Sequence, residues 1–319
     1  MVQSTPIRAP IGKRAPSKTL LPLRALLLQL TLLLWWGGAF AQHHPKEREL
    51  DLKTFQELIA KYGQDSSYQS REKRGSLIVA LAKEFIGSPY QSHTLEIEPE
   101  GVRVNLQQFD CFTLVESVVA LAATIVGENH TFEEFRHQLQ QLRYRNGAVT
   151  DWSSRLHYTS DWIAYNSKRG LFKNILTLKV GVPIHFNLNF ISTHPNSYRA
   201  LQKNPHLLPN IERSEREASK IEHLYLPKEE IEEKKGLLKD GDIVAFVTTV
   251  KGLDISHVAI AYLEPSAQNL ESRRDTQKRV TFIHASTTKG EVTVEPLSLQ
   301  QYTLRSKTNR GVMVIRAIF

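Results

Sequence analysis

From Gly241 onward the chain changes from helical to alternating patterning, and this break limits its fold more than any other feature. Five β-rich runs follow one another: Asp242–Val250, Ser256–Leu263, Arg279–Thr287, Glu291–Pro296 and Gly311–Ile318, with turn-forming residues between them. Consecutive strands with no helix between them can pair antiparallel. The preceding part reads differently. Leu50, Phe55, Leu58 and Ile59 have helical spacing within Glu47–Lys61, and Arg74–Ile86 and Thr131–Tyr144 read as further helices. Thr94–Asn105 looks like a hairpin turning at Pro99-Glu100-Gly101. Residues 145–240 mix short helical patches with Pro-containing loops, and the mixed charges of Lys228–Lys235 suit a solvated helix face. Glu264–Lys278 is polar and aperiodic, as a hairpin loop would be. No internal repeat is visible. Helices first and strands second predict an α+β domain, with N-terminal helices on an antiparallel sheet of five to six strands.

The clearest helix runs from Asp110 to about Val126. Cys111, Leu114, Val115, Val118, Val119, Ala122 and Ile125 fall on one face, and Asp110 is a good N-cap type. The chain has one cysteine, Cys111, so no intrachain disulfide can form. A free Cys is often just a small buried hydrophobe. This one opens its helix, where unpaired amides and the macrodipole favour a thiolate. A nucleophilic thiol also needs an imidazole to move its proton. Of 12 histidines, two lie on predicted strands: His257 opens one and His284 lies near the end of the next. Pairing Leu263 with Lys278 around the connecting loop sets His257 directly opposite His284, where Cβ atoms are ~4.5–5.5 Å apart. His284 could then orient His257, whereas a one-residue slip would separate the two rings.

The N-terminal residues predict export. Arg8, Lys13, Arg14, Lys18 and Arg24 form a basic region, Ala25–Trp36 is apolar, and Ala39-Phe40-Ala41 has the small-x-small pattern of a cleavage site. An uncleaved anchor is the alternative, but Ala25–Trp36 is short for a span of ~20 residues. The expected organisation is therefore a cleaved leader over residues 1–41 and one domain over residues 42–319, periplasmic or extracellular and not inserted in the membrane. Net charge is +8, but without those five basic residues the chain holds 36 basic residues, from 41, against 33 acidic ones. That near-neutral balance gives little bulk attraction for nucleic acid.

The segments Phe109-Asp110-Cys111-Phe112-Thr113, Gly241–Phe246, Ser256-His257-Val258-Ala259-Ile260 and Phe282-Ile283-His284-Ala285 together resemble the NlpC-type papain-like cysteine hydrolases of bacterial cell walls. That resemblance implies a papain-like fold with Cys111, His257 and His284 as catalytic residues and no metal or organic cofactor. Gly87-Ser88-Pro89-Tyr90 resembles the superfamily's Pro-Tyr element and implies a Tyr90 hydroxyl near the thiol, contacting substrate or oxyanion. Phe112-Thr113 stands where the superfamily usually has Ser-Gly, so bond preference does not carry over from its peptidases. A narrower resemblance, on Phe109–Glu116, Ser154–Trp162 and Gly252–His257, is to the N-acetylmuramoyl-L-alanine amidase-like family and covers roughly residues 75–318, with family-specific insertions at about 128–240. It implies cleavage of the amide between N-acetylmuramic acid and L-alanine in muropeptides. Trp152, Tyr158 and Trp162 could stack on the ligand and Arg155 could pair with its carboxylate, with Asp110 as a further contact; the bland reading makes the aromatics core and Arg155 a structural ion pair. The rivals are a stem-peptide peptidase, a zinc amidase, for which no HExxH motif exists, and a non-catalytic wall-binding protein on the same fold.

Overall fold

The structure is a computed structural model that describes residues 45–264 and 279–319. The leader expected over residues 1–41 and the loop expected after Glu264 lie outside the described residues. Four helices come first: α1 (Pro45–Tyr62), α2 (Arg74–Glu84), α3 (Cys111–Val126) and α4 (Phe132–Arg143). The centre of α3 is buried all round, not only on its apolar face. It therefore carries a fully buried Glu116, which Arg143 of α4 neutralises through Nε at 2.8 Å. A buried charge persists only with such a partner.

The hairpin expected over Thr94–Asn105 does not form. The segment is a loop, because the Arg103 guanidinium takes the carbonyls of Ile97 (3.2 Å) and Pro99 (2.5 Å) that a strand ladder would have used. Val104 and Leu106 enter the core, and the Leu106 N–H donates to Asp51 Oδ1 at 2.7 Å.

Residues 145–240 hold the short helices expected of them and, beyond expectation, three strands. They form α5 (Thr159–Lys168), β1 (Phe172–Asn174), β2 (Val182–His185), α6 (Phe190–Thr193), α7 (Arg199–Lys203), α8 (Leu208–Ala218) and β3 (Glu222–Pro227). Lys228–Lys235 forms no α-helix: a 3₁₀ turn at Lys228–Glu230 leads through a turn to a second at Lys235–Leu237. The C-terminal strands are β4 (Ile243–Thr248), β5 (Ile255–Glu264), β6 (Arg279–Ser286), β7 (Glu291–Val294) and β8 (Asn309–Ala317), with α9 (Leu299–Arg305) before β8. The result is an antiparallel eight-stranded sheet, larger than the five to six strands expected. Its order is β2-β3-β8-β4-β5-β6-β7, with β1 also on β8. The outer edge of β8 is long enough for two partners: β3 takes Gly311 and Val312, and β1 takes Ile315 to Ala317.

β4 is buried at every position, as a central strand covered on both faces must be. Ile243, Ala245 and Val247 belong to the core that includes the helices, while Val244 and Phe246 face a second core that includes Leu299 of α9. Gly241, at φ +77°, lets α2 reach the start of β4, since a Cβ there would stand 2.5 Å from the Gly75 carbonyl. Among the described residues no helix is long and apolar enough to cross a membrane.

Candidate active site

Cys111 is the first residue of α3, and Asp110 caps it. Asp110 Oδ1 accepts the N–H groups of Phe112 (3.0 Å) and Thr113 (2.7 Å), and the Asp110 N–H donates to Thr113 Oγ1 at 2.9 Å. This reciprocal box fixes the first turn and with it the direction of the thiol. The backbone N–H groups of Val258, Cys111 and Phe112 lie near enough to the sulfur to favour its charged form. One residue before the cap, Phe109 bridges to Tyr90: its N–H donates to Pro89 O at 3.0 Å, and its carbonyl accepts Gln91 N–H at 2.9 Å. This brings Tyr90 to the same cavity as Cys111.

His257 is set by a β-bulge. Phe246 opposes His257 while Val247 opposes Ile255, so Ser256 is the extra residue. Bulges re-aim side chains in this way. The carboxylate of Asp254 holds the approach to β5, accepting the Ser160 N–H at 2.6 Å and so tying it to the start of α5.

The β5–β6 register differs from the expected one. Leu263 pairs with Val280, not Lys278. The shift is two residues, so parity survives: His257 and His284 share a face as diagonal neighbours, with His257 Nε2 2.7 Å from His284 Nδ1. Phe246 lies 5.5 Å from His257, Phe282 4.9 Å from His284, and Tyr302 of α9 within 6.5 Å of both, ring centre to ring centre. Cys111, His257, His284 and Tyr90 all line one cavity of about 660 Å³.

This aromatic enclosure sets the charge state. Burial, with His284 alongside, lowers His257 to about 3, and burial alone lowers His284 to about 4. Burial, then the Asp110 carboxylate, pushes the Cys111 thiol up to about 12 against the pull of the three N–H groups. Desolvation and the Asp110 carboxylate thus oppose the amides at the helix start, and burial favours the neutral form of both the thiol and the His257 imidazole in this cavity.

The structure does not bring the other expected contacts to this cavity. Trp162 is packed between Phe112 (5.3 Å) and Phe172 (4.8 Å) in the core. The Tyr158 hydroxyl donates to Glu215 at 2.7 Å and accepts the Ile191 N–H. Trp152 is buried on His157 and lines a separate cavity of about 300 Å³ with Arg155. The Arg155 guanidinium is occupied by Glu100 (2.8 and 2.7 Å), Glu96 (2.8 Å) and the Leu95 carbonyl. Asp110 serves as the cap. Residues that sequence reasoning missed line the main cavity instead: Glu295, Tyr302, Lys289 and Arg305. Register arithmetic of the kind applied to His257 could have found Glu295, because Ile283 pairs with Val294 and places Glu295 across from Phe282. Among the described residues no three His, Cys, Asp or Glu side chains are grouped to hold a metal ion.

Residues 80–312 match the model of a family described as N-acetylmuramoyl-L-alanine amidase-like. Two crystal structures of an N-acetylmuramoyl-L-alanine amidase from Bacteroides uniformis superpose with TM-scores of 0.68 at 29% and 30% identity, each covering 77% of this chain and 100% of the other. A Legionella pneumophila protein, 20% identical, shares the fold with a TM-score of 0.61 over 87% of this chain and 97% of its own. No curated protein matches the chain.

Proposed function

The chain belongs to the N-acetylmuramoyl-L-alanine amidase-like family, and on that premise we propose that it is an exported cysteine hydrolase of the papain-like NlpC type that cuts the amide between N-acetylmuramic acid and L-alanine in muropeptides. Residues 1–41 would be its cleaved leader and residues 42–319 a single hydrolase domain with the insertion at about 128–240. The observation that carries the reading is one cavity holding Cys111, His257 and His284, with the two imidazoles 2.7 Å apart.

In this mechanism the Cys111 sulfur adds to the amide carbonyl as its proton passes to His257 Nδ1, the ring nitrogen not engaged by His284. The C–N bond breaks, His257 returns that proton to the departing alanine nitrogen, and a muramoyl thioester remains. Water, deprotonated by His257, attacks the thioester; the acid leaves and the thiol is restored. The Cys111 backbone N–H and the Tyr90 hydroxyl are the donors available to the oxyanion. Lys289 and Arg305, exposed cations on the cavity wall, replace Arg155 as the groups to meet the carboxylates of the stem peptide.

The test is product analysis. From a muramoyl tripeptide, the protein should release intact tripeptide beginning with L-Ala. A product with L-Ala-D-Glu still joined to the sugar would favour a stem-peptide peptidase. No product at all, with muropeptide binding retained, would indicate a wall-binding protein. Cys111→Ala should lower turnover by ~10⁴-fold or more while the fold persists.

A further inference from the structure

The two imidazoles can share one proton in either of two ways, and only one is useful. If His257 carries it on Nε2 and donates to His284 Nδ1, then His257 Nδ1 presents a lone pair to the thiol. If His284 carries it on Nδ1, then His257 holds its own proton on Nδ1 and cannot accept another. Nothing within the pair decides between them, since both rings are neutral. The deciding group must act on the far nitrogen, His284 Nε2.

That nitrogen is buried and makes no hydrogen bond among the described residues, but Glu295 Oε2 lies 3.6 Å from it. Glu295 is held firmly. Its N–H donates to the Phe282 carbonyl at 2.9 Å, its own carbonyl accepts the Thr281 hydroxyl, and its Oε1 accepts the Leu297 N–H at 3.0 Å. Oε2 is left to face the ring. A carboxylate oxygen there favours an N–H on His284 Nε2 and repels a lone pair. We propose that Glu295 is a positioning residue that fixes the proton of His284 on Nε2, and through the 2.7 Å contact leaves His257 Nδ1 free to accept the Cys111 proton. The same carboxylate faces the positive charge that the relay carries once that proton has moved. The argument rests on the cysteine-hydrolase reading for its consequence in catalysis, but the placement of the proton does not.

The isosteric Glu295→Gln gives a sharp test. Its amide oxygen should stay on the Leu297 N–H, which leaves the NH₂ facing His284 Nε2. That group donates, so it should favour the wrong tautomer. With full-length protein labelled with ¹⁵N-histidine, NMR should show wild-type His284 protonated on Nε2 and bare on Nδ1, and Glu295→Gln should reverse this. On muramoyl tripeptide, kcat of Glu295→Gln should fall about 10- to 100-fold, the range for partners that orient a functional histidine, with KM within about twofold. A purely structural role would tolerate the isostere. Wild-type His284 protonated on Nδ1, or a Gln variant with unchanged tautomer and kcat, overturns the proposal. If Glu295→Gln does not fold, the wild-type spectrum alone decides. If Cys111→Ala keeps its turnover, the hydrolase reading fails while the spectrum still reports on Glu295.

Discussion

Asp110 does two things that one pair of substitutions can separate. Its carboxylate closes the first turn of α3 through bonds of 3.0, 2.7 and 2.9 Å, and it is the second cause, after burial, of the raised Cys111 thiol. Asp110→Ala removes both effects, whereas Asp110→Asn keeps an acceptor for the first-turn amides and removes only the charge. Loss of an N-cap costs about 0.5–2 kcal/mol, and the reciprocal Thr113 bond argues for the upper end. In a domain of this size each kcal/mol moves Tm by about 2 °C, so Asp110→Ala should melt about 4 °C lower and Asp110→Asn within about 1 °C of wild type. Removing the negative charge should lower the thiol's titration by on the order of one unit. That makes alkylation of Asp110→Asn by iodoacetamide about tenfold faster at fixed pH. Circular dichroism gives the first quantity and mass-spectrometric labelling of Cys111 the second. Equal Tm losses for both variants would refute the capping argument. An unchanged or slower alkylation of Asp110→Asn would refute the electrostatic one.

The depressed His257 should show in the acid limb of kcat/KM. A base lowered to about 3 stays neutral as pH falls, so activity at pH 5 should lie within about twofold of that at pH 7; an ordinary imidazole near 6.5 would lose about 25-fold, and a limb centred at 6–7 would contradict the enclosure. Arg155→Ala should act on stability, because it strands the buried Glu100 carboxylate. A loss of about 3–5 kcal/mol in urea unfolding is expected, and a fully stable variant with impaired substrate binding would restore Arg155 as a ligand contact. Lys289→Gln and Arg305→Gln should each raise KM for a muramoyl tripeptide by about tenfold, with little change in kcat; unchanged KM in both would remove them from substrate recognition.

What could be read from the sequence divides along physical lines. The start of α3 is where Asp110 predicts it, because capping is local chemistry, and the five C-terminal strands lie where alternation and turns put them. The pairing of His257 with His284 survived an error in register because strand faces repeat every two residues. β1, β2 and β3 were not legible. They are short, and β1 and β3 exist because β8 offers a free edge, which is a tertiary fact. The aromatics from Trp152 to Trp162 have the composition of a sugar platform, yet their burial depends on Phe112, Phe172, Tyr198 and Glu215, which come from elsewhere in the chain. The desolvation that acts on the thiol is not legible in sequence for the same reason. A helix N-terminus is visible in sequence, but the burial that opposes it depends on the assembled cavity, whose lining comes from separate segments.

The neutral thiol has a consequence for the lifetime of the protein. Peroxide attacks thiolate, and the ladder from sulfenic to sulfinic and sulfonic acid becomes irreversible after its first step. Cys111 has no second cysteine to rescue it by forming a disulfide. With its proton held on sulfur by burial and by Asp110, it offers an oxidant almost no thiolate. On the proposed mechanism the thiolate would form only as a carbonyl arrives to receive it, and the resting thiol would resist corrosion between turnovers.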